Sequence, residues 1–382
     1  MLDLMLTGSV AFVITFFAIP VIMKIAEEKK LYDVPDARKL HKKPIASLGG
    51  VGIFCGFFLA ALLSVSNKTN PEFQYFFAAS TVIFFLGLKD DILVLTATKK
   101  FIGQVTAAAI IIHLGNIRIE SMHGLFGISE LPPMFSLAIS YITVILIINA
   151  FNLIDGVDGL AGMLGLLTMS VFGTYFFLVD MPAYALLAFS LAGSLFAFLI
   201  FNYNPAKIFM GDCGSLLLGL VNAILAIKFV AIADTAAVSL PIESCVAVGI
   251  AVLIVPLMDT LRVFSIRILK GRSPFSPDRN HIHHLLLDRG FNHKYVTLCC
   301  LLLNILFITV AYFGRSLGPT YLLFSMLGVA VTVLGIIIYS IKPIQGTMVS
   351  ATPITASAKT ISAQPTVKVV SINAETATAV EQ

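Results

Sequence analysis

From Met134 to Ile148, and again from Leu160 to Val179, the chain carries no charged side chain, yet Asn149, Asn152, Asp155 and Asp158 lie between these runs. Each run approaches the roughly 20 apolar residues that cross a bilayer as one helix. Within hydrocarbon the backbone amides must be paired inside the segment, which leaves helices as the natural form. A carboxylate at such a depth costs roughly 2.5–3.5 kcal/mol on insertion scales, so this stretch reads as a working site. Taken as helix, Asp155 and Asp158 stand three apart and share a face. Gly156 and Gly159 permit a sharp turn or a close approach to a ligand. The plain alternative is a polar loop between two helices.

Composition carries the same reading to the whole chain. Of 382 residues, 58% are hydrophobic and only 12% charged, with mean hydropathy +0.95; a soluble domain has about 25% charged residues. The expected fold is an all-α polytopic integral membrane helix bundle. Apolar runs predict about eleven transmembrane helices, at 6–23, 48–66, 72–88, 101–116, 134–151, 160–180, 183–201, 214–232, 243–262, 295–313 and 319–340. Residues 1–345 form the membrane domain. The stretch 346–382, rich in Thr, Ala, Ser and Val without helical spacing, reads as a disordered cytoplasmic tail. The first run lacks a basic leader and a cleavage site and reads as a retained anchor. With the N-terminus outside and the C-terminus cytoplasmic, only Lys68, Arg118, Lys228 and Arg315 of the 25 Lys and Arg fall outside, as the positive-inside rule favours. A net charge of +4 without a basic stripe excludes a nucleic-acid partner. The five cysteines show no CxxC spacing and read as small apolar residues.

That topology puts the polar clusters on the cytoplasmic side. Asp33 to Pro44 is basic; His41 and Lys42 there suit phosphate, although such residues also set topology or attract anionic lipid. Asp90 and Asp91 are adjacent carboxylates that need a cation, from Lys89 or a divalent ion, unless they only solvate a helix end. Asp212 stands between glycines ahead of a helix expected from near Ser215. It offers oxygen to a hard cation, and the helix start offers N–H groups to an anion; a plain turn is the alternative. The last cytoplasmic segment carries Asp259, Arg267, Arg272, Arg279, His281, His283 and His284. Without HExxH or a cysteine pair the histidines make a poor zinc site and a better phosphate surface. His113, His123 and His293 receive no role. No phosphate-binding lysine loop or dinucleotide fingerprint occurs. Acidic groups for Mg²⁺ and proton transfer, beside basic segments for phosphates, point to phosphoryl chemistry on a lipid-borne substrate.

The motifs Asp33-Val-Pro-Asp36…Arg38-Lys39-Leu-His41…Gly49-Gly50, Asp90-Asp91, Asn149-Ala-Phe-Asn152-Leu-Ile-Asp155-Gly-Val-Asp158-Gly-Leu, Phe209-Met-Gly-Asp212-Cys-Gly-Ser215 and Pro277-Asp278-Arg279-Asn280-His281-Ile-His283-His284 closely resemble the polyprenyl-phosphate N-acetylhexosamine-1-phosphate transferases, over about residues 30–295. The histidine segment resembles the branch that uses N-acetylglucosamine. Cys213 departs from the Ala, Ser or Thr usual there. The resemblance implies a Mg²⁺-dependent glycosyl-1-phosphate transferase, with Mn²⁺ able to substitute, in the bacterial cytoplasmic (inner) membrane. It would move N-acetylglucosamine-1-phosphate from UDP-N-acetylglucosamine to undecaprenyl phosphate and release UMP, starting O-antigen, common antigen or teichoic acid synthesis. By the same resemblance Asp212 binds Mg²⁺ with Asp91 in support, and Asp90 deprotonates or orients the acceptor phosphate. Asn152, Asp155 and Asp158 line the nucleotide-sugar pocket, with Asp155 and Asp158 among the catalytic carboxylates. Phe209 stacks on uracil and Lys42 approaches the uridine. Arg267, Arg279, His281, His283 and His284 contact the pyrophosphate or sugar. A homodimer is one assembly this allows. Two rivals stay open: another UDP-N-acetylhexosamine, or a proton-coupled transporter using the same carboxylates. No repeated halves with matched broken helices favour the transporter.

Overall fold

The computed structural model describes residues 1–33, 45–66, 68–235, 238–271 and 281–340. The predicted tail from 346 onward lies outside them, as do Lys42 and Arg279. Among the described residues the chain is a helix bundle with two small antiparallel ribbons. One ribbon pairs β1 (Tyr32–Asp33) with β2 (Ile45–Ala46), the other β3 (Ser121–Leu125) with β4 (Ile128–Glu130).

Each of the eleven predicted runs falls on helix, in this order: α1 (Leu2–Lys29), α2 (Gly49–Ser64), α3 (Phe73–Leu93), α4 (Ala97–Ala109), α5 (Pro133–Ile154), α6 (Leu160–Leu178), α7 (Pro182–Asn202), α8 (Gly211–Ala233), α9 (Cys245–Val252) with α10 (Ile254–Leu269), then, past the short α11 (Ile282–Leu287), α12 (His293–Phe313) and α13 (Pro319–Ser340). Six of these, α1, α5, α6, α7, α8 and α12, are long and apolar enough to cross a bilayer, or seven if the bent pair α9–α10 counts as one span. By length and composition alone, the described residues thus show six or seven of the eleven expected spans. Two runs differ in form. The fourth, interrupted in sequence at His113 and Gly115, ends in a π-helical turn at Ile110–Leu114. The ninth breaks at Leu253 with a bend of 84°.

That break has a local cause. Pro256 has no N–H to give and fits best in a helix's first turn, and a new helix begins two residues before it. The orphaned backbone groups find a partner in Asn304 of α12, buried between the half-helices. Its amide donates to the Val252 carbonyl at 3.0 Å, and its Oδ1 accepts from the Val255 N–H at 3.2 Å. Irregular backbone at membrane depth needs such a partner.

The bundle is organised around α8. In its apolar window 78% of residues are buried, against 22% for α1; α2, α3 and α5 pack directly on it. Lipid removes the hydrophobic drive between helices, so close contact of backbones over small residues does the work. A Cβ added at Gly50 would lie 2.1 Å from the Gly214 N, and one at Gly87 would lie 2.4 Å from the Cys213 Cα. Two helices therefore touch the first turn of α8 with bare backbone. The site is built there.

Candidate active site at the head of α8

The first turn of α8 begins at Gly211, four residues before the start expected from sequence. Gly211 has φ +71, and a Cβ there would lie 2.1 Å from the Ser47 carbonyl oxygen; only glycine fits. The freed N–H groups of this turn do not await an anionic ligand. Asp91, from the end of α3, takes them: its Oδ1 accepts from the Asp212 N–H at 2.7 Å and its Oδ2 from the Cys213 N–H at 3.0 Å. A carboxylate on the positive end of a helix is favourable, so the anion expected at this terminus is the protein's own. Asp91 positions Asp212.

Its neighbour Asp90 turns about 100° round the helix and meets different partners. It is 8% exposed and accepts from the Leu95 N–H. Its counter-charge is not Lys89, which points to solvent. Lys100, from α4, places its ammonium between Asp90 and Asp212 and pairs with both. Sequence reasoning missed Lys100. Its only signal was its position in the first turn of the helix after the acidic pair.

Asp212 is fixed from a third side. Asn152, in the last turn of α5, donates to Asp212 Oδ1 at 2.9 Å and to Ser215 Oγ at 3.0 Å. One turn back, Asn149 and Gln104 of α4 exchange amide hydrogen bonds of 2.9 and 3.3 Å, which locks α4, and with it Lys100, onto α5.

Of the two forms open to Asp155–Asp158, a shared helical face or a loop between helices, the structure has the loop. α5 ends at Ile154 and α6 begins at Leu160; the five residues between form a turn closed by Gly159 at φ +76. Asp155 faces the acidic pocket. Withdrawal from water, then the negative charges of Asp212, Asp91 and Asp158, lifts its carboxyl well above the usual carboxylate range. Asp158 faces away. Its Oδ2 accepts from the Ala206 N–H at 3.1 Å, its Oδ1 meets His293 Nδ1 at 3.1 Å, and its carbonyl accepts from Thr297 Oγ1. Asn202 continues the knot, accepting from the Gly159 N–H and donating to the Ile208 carbonyl. His293, given no role from sequence, ties α12 to this turn.

The histidine segment reaches the same place. Asp259 on α10, 1% exposed, pairs with His281 Nδ1 at 2.8 Å and accepts from the Ile282 N–H at 2.7 Å. His281 and His283 stack with centroids 5.5 Å apart, and His284 follows at 4.4 Å. His283 rests on the acidic turn, where a Cβ at Gly156 would lie 2.5 Å from its Nε2. Burial, with the neighbouring histidines adding to it, pushes His283 down to about 3, so the ring is neutral near pH 7. Its Nδ1 is buried without a hydrogen-bond partner among the described residues. Arg267 is buried one face along α10, near the Phe264 ring. The Phe209 backbone is pinned at both ends: its N–H donates to the Ala46 carbonyl and its carbonyl accepts from the Gly49 N–H.

The structure thus brings Asp90, Asp91, Asn152, Asp155 and Asp212 to one pocket and sets His283 against its rim. Asp158 and His281 are engaged in supporting pairs. The oxygen-only donor set of Asp90, Asp155 and Asp212 suits a hard divalent cation, and the Lys100 ammonium already bridges two of them as a cation would.

The family model described as glycosyl transferase family 4 matches residues 73–230. A decaprenyl-phosphate N-acetylglucosaminephosphotransferase of Mycobacterium leprae is 32% identical over 342 residues, covering 82% of this chain and 83% of the relative. Undecaprenyl-phosphate alpha-N-acetylglucosaminyl 1-phosphate transferases of Yersinia pestis and Escherichia coli are 29% and 28% identical, over 77% and 71% of this chain and 80% and 73% of theirs.

Proposed function

This chain belongs to the polyprenyl-phosphate N-acetylhexosamine-1-phosphate transferases of glycosyl transferase family 4, and we propose that it transfers N-acetylglucosamine-1-phosphate from UDP-N-acetylglucosamine to undecaprenyl phosphate, releasing UMP. The observation that carries this reading is the meeting of Asp90 and Asp212, more than a hundred residues apart, on one ammonium at the head of α8. A phosphate oxygen of the lipid attacks the sugar-linked phosphorus of the donor. The bond from that phosphorus to the bridging oxygen breaks, and UMP leaves with the electron pair. One phosphoanhydride replaces another, so added UMP should drive the reaction backwards.

Asp212, Asp90 and Asp155 would hold Mg²⁺, which neutralises phosphate charge when bound. The chain's own residues do the rest. Asp91 and Asn152 fix the Asp212 carboxylate from two sides, and Lys100 keeps Asp90 and Asp212 together between turnovers. Asp90 orients the acceptor phosphate. His283, neutral and buried, presents a nitrogen to the donor at the rim. Phe209 stands ready for the uracil; by resemblance Lys42 would approach the uridine and Arg279 the pyrophosphate or sugar. The lipid tail would lie in an apolar cavity of about 400 Å³ between α5, α8, α9 and α10, lined by Thr143, Ile147, Ala226, Val246, Leu257 and Met258 among others.

The eleven-span arrangement with the N-terminus outside belongs to this proposal, because it gives the acidic pocket access to cytosolic nucleotide. So do the cytoplasmic membrane of a bacterium as location, a homodimer as assembly, and a role as the first membrane step of a surface polysaccharide. Purified protein incubated with undecaprenyl phosphate, Mg²⁺ and a panel of UDP-sugars tests the core of it. UMP release with UDP-N-acetylglucosamine in preference to other N-acetylhexosamines is expected. Equal or better turnover of another sugar overturns the donor assignment, and no release with any overturns the reaction.

A further inference from the structure

At the opposite end of α8, three side chains of a different character meet. His123 comes from β3, Asp234 caps the C-terminus of α8, and Cys245 is the first residue of α9. One ligand atom from each lies within 4.8 Å of the other two, and His123 Nδ1 stands 3.3 Å from Asp234 Oδ2. Ligands at zinc's bond lengths of about 2.0–2.3 Å, near tetrahedral angles, sit roughly 3–4 Å from one another. The cluster closes to that size with side-chain shifts of about 1 Å.

Local backbone supports the arrangement. The β3–β4 ribbon changes register between Ser121 and Leu125, and an irregularity of this kind re-aims side chains. His123 sits there at φ +46, a left-handed conformation that costs a non-glycine residue on the order of 1–3 kcal/mol and persists where surroundings impose it. The Ser121 hydroxyl accepts from its N–H at 3.1 Å. The imidazole is thereby turned onto Asp234 rather than left along the ribbon. Asp234, with 39% of its side chain exposed, gives the cluster an entry path from water, while Cys245 is buried behind it, its thiol directed at the Val230 carbonyl at 3.6 Å.

We propose that His123, Asp234 and Cys245 form a binding site for a borderline-soft divalent cation of the zinc type, with water as fourth ligand. One nitrogen, one oxygen and one sulfur suit Zn²⁺, whereas Mg²⁺ and Ca²⁺ take oxygen alone. On binding, the Cys245 S–H proton is released to solvent and Sγ coordinates as thiolate. With neutral imidazole, the two anionic ligands balance the ion's charge. The ion would staple the ribbon to the α8–α9 corner, far from the acidic pocket. Nothing in this site depends on the transferase reading.

The test uses full-length protein in detergent, stripped by a chelator and kept in excess Mg²⁺ so that the acidic pocket does not compete. Titration with Zn²⁺ against a chromophoric chelator should show one equivalent bound, and Co²⁺ in its place should give a thiolate-to-metal charge-transfer band. Cys245→Ser should abolish that band. His123→Asn and Asp234→Asn should each weaken Zn²⁺ binding at least about tenfold and remove the rise in melting temperature that the ion gives wild type. Binding unchanged in Asp234→Asn, or a cobalt spectrum without the thiolate band, overturns the site. Should Cys245→Ser fail to fold, Asp234→Asn, a surface change, still decides.

Discussion

Two groups of carboxylates flank the turn between α5 and α6, and they are balanced in opposite ways. In the knot around Asp158, each carboxylate oxygen has its own partner, His293 Nδ1 for one and the Ala206 N–H for the other. In the pocket at the head of α8, Asp90 and Asp212 share one ammonium among the described residues, and Asp155 is crowded by like charge. Satisfied groups hold a fold together, while under-compensated ones, kept close by glycine-to-backbone packing, store an affinity for cations. The difference separates scaffold from reaction site among residues that look alike in sequence.

The largest expected effect comes from Asp212→Asn, which removes the group that three elements converge to hold. UMP release should fall about a thousandfold, the scale of losing a preorganised electrostatic group, with little change in melting temperature. Activity within tenfold of wild type would place the reaction site elsewhere. Next comes Lys100→Met. If the ammonium occupies a cation's position, removing it should lower the Mg²⁺ concentration for half-maximal activity about tenfold, or ~1.4 kcal/mol. That is a fraction of the ~4 kcal/mol between unit charges 4 Å apart near a protein surface. A Mg²⁺ titration that shifts upward instead would make Lys100 a partner of the metal rather than its stand-in.

Asp158→Asn sharpens the contrast from the scaffold side. It weakens one of two good hydrogen bonds to a half-buried carboxylate, so a loss of about 1–2 kcal/mol in stability is expected, and His293→Ala should not add to it fully. UMP release should stay within about tenfold of wild type once the protein is folded. Loss of activity with an unchanged melting temperature would return Asp158 to the reacting groups.

How much of this was legible beforehand varies with the distance over which the cause acts. Helices and their order follow from local hydropathy, and the acidic and histidine motifs stand out because carboxylates are rare between apolar runs. The break at Leu253 is less visible: Pro256 hints at it, but the partner that makes it tolerable, Asn304, lies on another helix. Only the resemblance separates the jobs of Asp90 and Asp91 in sequence; their spacing does not, because the jobs depend on which neighbour each meets round a helix. Lys100 and His293 were hidden for the same reason; each is an ordinary polar residue near a helix start until the fold supplies a carboxylate. The form of 155–159 stays open in sequence because a spacing of three fits helix and turn alike, and Gly159 at positive φ decides between them.

The smallest effect concerns His283, where the pocket meets its rim. Its folded-state value is about 3, against about 6.5 for an unburied histidine. Above pH 6.5 the ring is neutral in both states and contributes nothing to pH dependence. As pH falls through 6.5 the unfolded chain takes up a proton that the folded chain refuses, so stability is lost progressively down to about pH 3. The slope is about 1.4 kcal/mol per pH unit for this one group. Asp155, displaced upward, acts in the opposite sense, because the folded state then binds a proton more readily than the unfolded one. The wild-type profile is therefore a sum, and the informative quantity is its difference from His283→Gln. That difference should be flat from pH 8 to 7 and change steadily from pH 6.5 to 5, with the variant losing less stability. A difference that stays constant over the whole range would mean that His283 is protonated in the folded protein, and that the rim carries a charge which the pocket's balance does not include.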